Sequence, residues 1–481
     1  MLVVLPCSLF SQNVPQMKSQ FLFFDDVIEH TQKKLHQTLD EIRYNSSMHP
    51  SHTNRESGMW EEAYMRRSEW TSGFFAGTLW HMYRITGEDF WKELATDWTE
   101  DLESAAKFNF DHDTGFRVMN SYGVGYLITS KRPYFWVLTT GAQTLSTRFS
   151  PAVGAIKSWD PWHGLDAIYP VIIDNLMNLE LLFYTARELN NYHLYDIAVR
   201  HAQTSLEHHM RPDGSTYHIV DFNEYGEVNS KFTRQGYGPN SVWARGQAWA
   251  VYGFTMTYRY TRDQRFLEAA EAAATYFIDN LPEDFVPYYD FLEPVSSVRT
   301  KDASAAAITA SALFELYSHT SKSEYFNSAV NILNALSSED YLSIHSKESS
   351  VLRQSTLHRG QGNVGTSYAD YYFLEAIIRY RELTQQSFPQ IATTHTFHLE
   401  QNFPNPFNSS TRIFYSIEEY LDVEITLYDA SGRKIRTLRH EPHSPGTYRL
   451  DISASGLSTG VYFYSVTAGN QRQLKKMVHI K

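Results

Sequence analysis

The sequence predicts an all-α ring of six antiparallel hairpins, an (α/α)6 toroid, followed by a small all-β sandwich. Three observations carry that expectation. A junction of one design occurs six times: an amphipathic helix closes on aromatic or basic residues and a Thr, a few polar residues follow, and an aromatic opens the next helix. The junctions recur at irregular intervals of about 45 to 70 residues, which suits a closed ring of hairpins better than a solenoid of tight period. After residue 388 the helical pattern gives way to apolar/polar alternation punctuated by Gly, Pro, Asn and Ser.

At 481 residues the chain exceeds what one hydrophobic core supports, so at least two domains are expected. Residues 1–20 open with MLVVLPCSLFSQ, an apolar run ending in small residues that reads as the back half of a secretory signal without its basic start. The toroid is placed at 21–388. Its junctions are YRITGEDFW from 83, YLITSKRPYF from 126, ARELNNYHLY from 186, YRYTRDQRF from 258, YSHTSKSEYF from 317 and YRELTQQ from 380. A closed ring buries its inner helices without capping repeats and leaves function to the inserted loops. One insertion, PDGSTYHIVDFNEYGEV, turns at Asp213-Gly214 and then alternates, the mark of a small β excursion. Residues 389–397 read as a linker and 398–481 as the sandwich, its strands lying in STRIFYSI, VEITLYDASGRKIRTL, GTYRLDI and GVYFYSVTAGNQRQLKKMVHIK.

Composition narrows the function. The net charge of -12 and the lack of any Lys/Arg-rich run argue against a nucleic-acid partner. No run after the first residues reaches the ~20 apolar residues of a membrane span. Cys7 is the only cysteine, which excludes an internal disulfide and a thiolate metal site. The 20 His residues form no HExxH, and EHH at 207–209 reads as a solvated helix end, so neither a metal nor another cofactor is expected. Aromatic residues make up 15% of the chain, enough both to pack a toroid and to offer faces for sugar rings.

Polar residues interrupt the apolar helix pattern at four places. In VIIDNLMNLELLFYTAREL, Asp174 follows two isoleucines, and Asn178 lies one turn further on the same face. Asp is a strong helix N-cap, so Asp174 reads equally as a cap or as a functional carboxylate at a helix N-terminus. FDHDTGF at 110–116 places Asp113 in a turn or a cap, and STYHIV at 215–220 carries His218. In RQGYGPNSVWARGQAWAVYGF, Arg245 and Trp249 are i, i+4 neighbours, with Gln247 on another side.

Taken together, HDTGF, IIDNLMNL, YHIV, QGY and WARGQAWAVYGF, in that order, resemble the unsaturated glucuronyl hydrolases of glycoside hydrolase family 88. EWTSGFFAGTLW at 69–80, DASAAAITASALFEL at 302–316 and YADYYFLEAIIRY at 368–380 extend the resemblance over roughly residues 25 to 385. It implies a toroid whose pocket removes a 4,5-unsaturated uronic acid from the non-reducing end of lyase-generated oligosaccharides by hydrating the C4=C5 bond. It further implies Asp174 as acid/base, Asp113 as partner carboxylate, and Trp70, His112, His218, Gln235, Arg245 and Trp249 as the sugar-subsite lining. The uronate is an anion in an acidic protein, so local cations must override the global field, with Arg245, Arg234 and Arg359 as candidates. A Ser/Lys motif that marks sulfated substrates in some relatives has no clear copy in RQSTLHRGQG, where Ser355, His358 and Arg359 stand; Ser355 and Arg359 are carried as candidate substrate contacts.

The C-terminal PNPFN, LYDASGRKI, GLSTGVYFY and KKMVHIK resemble the sorting domains of the type IX secretion system. That resemblance implies the secretion machinery as partner and a secreted or cell-surface location reached through the outer membrane, with the periplasm as the alternative. Rival readings are a sugar-binding or fibronectin-like sandwich and, for the toroid, an unsaturated rhamnogalacturonyl hydrolase of the family 105 type, a sugar epimerase, or a glycan-binding protein without catalysis.

Overall fold

A computed structural model describes residues 24–384 except 161–166 and 296–297, and residues 397–480 except 400, 403, 418, 419, 431, 445 and 470. The expected signal at 1–20 and all but the last residue of the expected linker lie outside the described residues. The chain forms two compact units, Met1–Pro389 and Gln390–Lys481.

In the first unit the helices are α1 (Phe24–Glu41), α2 (Ser72–Thr86), α3 (Asp89–Asp101), α4 (Thr114–Val118), α5 (Val124–Thr129), α6 (Arg132–Ser146), α7 (Asn175–Leu189), α8 (Tyr192–His209), α9 (Ala244–Thr261), α10 (Gln264–Asp279), α11 (Ala303–Thr320), α12 (Ser323–Leu336) and α13 (Ser367–Leu383). A π turn at Met119–Gly123 joins α4 and α5 into one bent inner helix. Helix α2 packs on that bent helix, which packs on α7, then α9, α11, α13 and back to α2, which closes the inner ring. The two layers differ in sequence because they differ in solvent contact. In α11 every residue from Ala303 to Phe314 is buried, whereas outer α10 buries one stripe, including Phe266, Ala270, Ala273 and Phe277.

The repeated junction has a local cause. Inner helices end on a residue in the left-handed region, namely Gly87, Ser130, Asn190, Arg262 and Ser321. At four of these ends the recurring Thr donates its hydroxyl to the carbonyl four residues back and accepts the N–H two residues on, at Thr86, Thr129, Thr261 and Thr320. The hydroxyl thus satisfies backbone groups that a helix end leaves orphaned. Asn191 does the equivalent work from the other side, capping the N–H groups of His193 and Leu194.

The sixth junction departs from the expectation. It ends α13, and among the described residues of the first unit no helix follows it; the sixth outer position is filled from the other end of that unit by α1, where Arg381 lies over the Phe24 ring and His36 packs on Phe90 and Trp91 of α3. A second correction concerns EHH: His209 is buried rather than solvated, with Nε2 bonded to the carbonyl of Val171.

Short strands line the ring's loops. β1 (Phe149–Ser150) pairs with β2 (Ala155–Ile156), and β3 (Tyr169–Ile172), β4 (Ile219–Phe222) and β5 (Val228–Phe232) form an antiparallel sheet in that order. The expected excursion after Asp213 is therefore β4 and β5, joined by β3 from another loop. β6 (Ser355–Thr356) pairs with β7 (Gly362–Val364).

The second unit has strands β8 (Phe397–Leu399), β9 (Ser410–Ile417), β10 (Leu421–Asp429), β11 (Lys434–His443), β12 (Gly446–Ser453), β13 (Gly460–Ala468) and β14 (Gln471–His479). They form two antiparallel sheets, β11-β10-β13-β14 and β12-β9-β8. Alternate residues Ile413, Tyr415 and Ile417 of β9 and Val423, Ile425 and Leu427 of β10 face one core. PNPFN and the closing segment belong together: Phe407 donates to the Val478 carbonyl and accepts from Ile480, while Asn405 Oδ1 accepts the Val478 N–H.

Candidate active site

The six inner helices run in the same direction, so their N-terminal ends gather at one mouth of the ring. Trp70, Asp113, Asp174, Arg245, Asp302 and Tyr368 all stand at or next to those ends.

Asp174 follows β3 and opens α7. Ile173 donates its N–H to the His218 carbonyl at 3.0 Å, so the β3–β4 pairing itself places Asp174 beside His218. Asp174 occupies the N-cap position, yet its side chain caps no N–H, and its backbone is already helical. The capping reading therefore fails. Oδ2 is buried and has no hydrogen-bond partner among the described residues. Burial raises this carboxyl from 3.8 to about 7, against the opposing pull of the Arg245 cation. The nearby Trp249 indole N–H, itself without a hydrogen-bond partner among the described residues, also favours the ionised form.

His218 is buried under Trp243, ring centroids 4.7 Å apart. Its Nδ1 accepts the N–H groups of Arg234 and Gln235, each at 3.4 Å, so the neutral ring carries its proton on Nε2. Nε2 lies 3.8 Å from Asp174 Oδ2, too long for a hydrogen bond and short enough to share a ligand atom. Burial first, then His209 and the nearby arginines, hold His218 well below its usual range and hence neutral.

The second carboxylate comes from the loop before α4. Asp113 also sits at an N-cap without using its side chain as a cap. Burial raises it well above the usual carboxylate range, reinforced by Asp111 and Asp174 and opposed by Arg117. Asp111 is itself held by Arg117, whose Nη1 donates to Oδ1 at 2.8 Å and whose other groups reach the carbonyls of Ser68 and Glu69. His112 Nε2 lies 3.5 Å from Asp113 Oδ1, and burial drives His112 down to about 3. The glycine of HDTGF is required by packing: a Cβ on Gly115 would stand 2.5 Å from Asn178 Cα.

Arg245 is committed inside the protein. Nη1 donates to Asp302 Oδ2 at 3.2 Å and to the Thr356 carbonyl at 2.6 Å, and Nη2 donates to the Leu357 carbonyl at 2.8 Å. Gln235 Nε2 reaches that same Leu357 carbonyl at 3.2 Å, so the two residues strap the 355–357 segment over the site. The aromatic wall is continuous: Trp70 lies 4.9 Å from Tyr368 and 5.4 Å from Phe116, and Phe116 lies 5.2 Å from Trp249. Trp70 is half-buried, whereas Trp249 is fully enclosed.

Two expected contacts stand apart from this cluster. Ser355 is fully buried in β6, its Oγ accepting from Thr366. Arg359 is exposed, stacked over the Tyr237 ring and bonded to the Tyr237 carbonyl. Residues that the sequence reading did not single out are Asp111, Arg117, Asp302 and Tyr368. Asp302 was hidden by its ordinary role, since it does cap α11 through the N–H groups of Ser304 and Ala305.

Two buried carboxyls that burial raises above the usual carboxylate range, beside an aromatic wall at the N-terminal ends of the inner helices, fit a carbohydrate-processing hydrolase. A protein of Formosa agariphila described as an unsaturated glucuronyl hydrolase is 42% identical over 331 residues, covering 66% of this chain and 80% of that protein. An unsaturated chondroitin disaccharide hydrolase of Streptococcus pneumoniae is 31% identical, covering 66% of this chain and 83% of that protein. The crystal structure of an unsaturated glucuronyl hydrolase specific for heparin superposes with a TM-score of 0.71 at 36% identity, covering 76% of this chain and all of that one. The chain belongs to the unsaturated glucuronyl hydrolase family of glycoside hydrolases. Residues 401–481 match the Por_Secre_tail family, a secretion system C-terminal sorting domain, which supports secretion through the type IX system. No helix among the described residues is long and apolar enough to cross a membrane.

Proposed function

We propose that this pocket hydrates the C4=C5 double bond of a 4,5-unsaturated uronic acid at the non-reducing end of oligosaccharides released by polysaccharide lyases, with Asp174 as the acid/base. The observation that carries the reading is the Asp174 carboxyl, which burial raises to about 7 and whose Oδ2 is buried without a hydrogen-bond partner among the described residues, 3.8 Å from His218 Nε2. The carboxyl gives its proton to C4, the π electrons form the new C4–H bond, and an oxocarbenium ion develops across C5 and the ring oxygen. The carboxylate left behind then takes a proton from water as that water bonds to C5. The product is a hemiketal that opens and expels the remaining sugar chain, and Asp174 is again protonated. Asp113 is the partner carboxylate that keeps a proton in the pair, because two such groups side by side resist full ionisation. Trp70, half-buried, offers a ring face to the sugar, and the enclosed Trp249 backs that wall through Phe116.

An anionic uronate is accommodated despite the net charge of -12, because the positive ends of the inner helix dipoles converge on the mouth. Arg245 adds charge from behind while holding the 355–357 strap. Arg359 and Arg234 stand further out as rim cations, and Ser355 serves the strap's backing rather than the sugar. The epimerase alternative requires a basic imidazole, which the burial of His112 and His218 disfavours. The sorting domain further supports delivery to the cell exterior, where lyase products of large polysaccharides arise.

The experiment follows the new oxygen atom. Reaction in heavy-oxygen water with an unsaturated disaccharide places the label on C5 of the released keto-uronate and none on the reducing-end sugar. Deuterated solvent installs one deuterium at C4. Label at the anomeric carbon, or efficient cleavage of a saturated uronoside, refutes the mechanism.

A further inference from the structure

Asn178 lies one turn beyond Asp174 on α7, is fully buried, and spends its carboxamide on the opposite wall of the pocket. Its Oδ1 accepts the Phe116 N–H at 2.8 Å, which fixes the oxygen end of the amide. Its Nδ2 therefore faces His112 Nδ1, 3.3 Å away. An amide NH2 only donates, so Nδ1 accepts, and a neutral imidazole that accepts at Nδ1 carries its proton on Nε2. That Nε2 is the atom 3.5 Å from Asp113 Oδ1. The neighbouring Asn175 spends its amide NH2 on the Ile156 carbonyl, so it cannot donate to Nδ1 in place of Asn178; its Oδ1, buried without a hydrogen-bond partner among the described residues, acts on the His112 ring only as an acceptor.

We infer that Asn178 is a positioning residue acting through His112: it fixes the Nε2–H tautomer, aims that N–H at Asp113, and so holds the second carboxylate in place against Asp174. The same side chain clamps the backbone of the Asp113 loop through Phe116, and the absent side chain of Gly115 lets the two walls approach this closely. The inference rests on the proposed reading of Asp113 and Asp174 as the working pair.

Asn178→Asp separates the two duties. It keeps an oxygen for the Phe116 N–H, and it replaces the NH2 by an acceptor that draws the imidazole proton to Nδ1. On an unsaturated disaccharide, kcat falls about 10-fold to 100-fold while KM stays within about 3-fold, the size seen when a supporting hydrogen bond behind a functional group is lost. In a His112→Gln background, which has no tautomer to lose, adding Asn178→Asp costs less than about 2-fold more. Additive losses, parallel changes in kcat and KM, or an Asn178→Asp variant with unaltered kcat overturn the inference. Should Asn178→Asp not accumulate as folded protein, the comparison of His112→Gln with His112→Glu decides. The amide can offer an N–H where Nε2–H stands and keeps kcat within about 10-fold, whereas the carboxylate cannot and loses about 100-fold or more. Equal losses in both refute it. Asp174→Asn is run alongside: if that variant keeps near-normal turnover, the reading of the pair has failed, and if it loses about 100-fold or more while Asn178→Asp is normal, only the role of Asn178 has failed.

Discussion

Replacing Asp174 by Asn should cut turnover by orders of magnitude and, above neutral pH, make the protein more stable. A buried carboxyl raised from 3.8 to about 7 retains a proton that the unfolded chain has already released. Between those two values the unfolded state binds fewer protons than the folded one, so this group's contribution to stability falls as pH rises and reaches its floor above about 7. A shift of about 3 units corresponds to a ceiling of about 4 kcal/mol, at ~1.4 kcal/mol per unit. Asn has the same shape and no proton to lose. Its advantage over Asp is therefore absent below about pH 4 and fully developed above pH 7, and roughly 2 to 3 kcal/mol of it opens between about pH 5 and pH 8. Removing Asp174 also eases ionisation of Asp113, which adds in the same direction. Thermal midpoints of wild type and Asp174→Asn, measured at both pH values, read the effect as a gap that widens with pH. The same variant loses about 10²-fold to 10⁴-fold in kcat because proton delivery to C4 is gone. Wild-type kcat/KM should decline about tenfold per pH unit above about 7, where the acid form is depleted. A stability gap that is flat between the two pH values, or a variant that retains near-normal turnover, would refute the assignment of a proton-bearing Asp174.

Two other outcomes follow from the geometry. Arg245→Lys keeps the charge and loses the fork that holds Asp302, Thr356 and Leu357, so kcat/KM on an unsaturated disaccharide should fall about 10-fold or more with a stability loss of ~1.5–3 kcal/mol; an unchanged melting curve and rate would show that the strap is not needed. A chain ending at Pro389 should keep wild-type kcat and KM, because the inner ring closes within the first unit; loss of activity in a folded truncation would place part of the site in the second unit.

Most of the helical layout was legible because its causes are local. The Thr hydroxyl that serves a helix end and the left-handed residue after it act over four residues, so the junctions stand out in the sequence wherever they occur. Strand alternation in the second unit is local in the same way. The sixth hairpin was not legible, since its halves, α1 and α13, come from opposite ends of the first unit. Nor was the fate of EHH, because the Val171 carbonyl that holds His209 lies on a strand from another loop.

For the site, the sequence by itself determined which side chains could do chemistry and that they fall in motifs of one family; it left Asp174 balanced between a cap and a functional carboxyl. Only the tertiary structure removed the cap, by showing an N-cap position whose side chain caps nothing and whose oxygen is buried without a partner among the described residues. It also decided that Arg245 is spent on Asp302 and the carbonyls of Thr356 and Leu357, that Ser355 is buried in a strand, and that the Asn178 amide nitrogen faces His112 Nδ1. These are properties of burial and of partners far apart in the chain. A proton's affinity and a donor's direction depend on what surrounds a group in space, and residues such as His112 and Asn178 become neighbours only when the ring has closed.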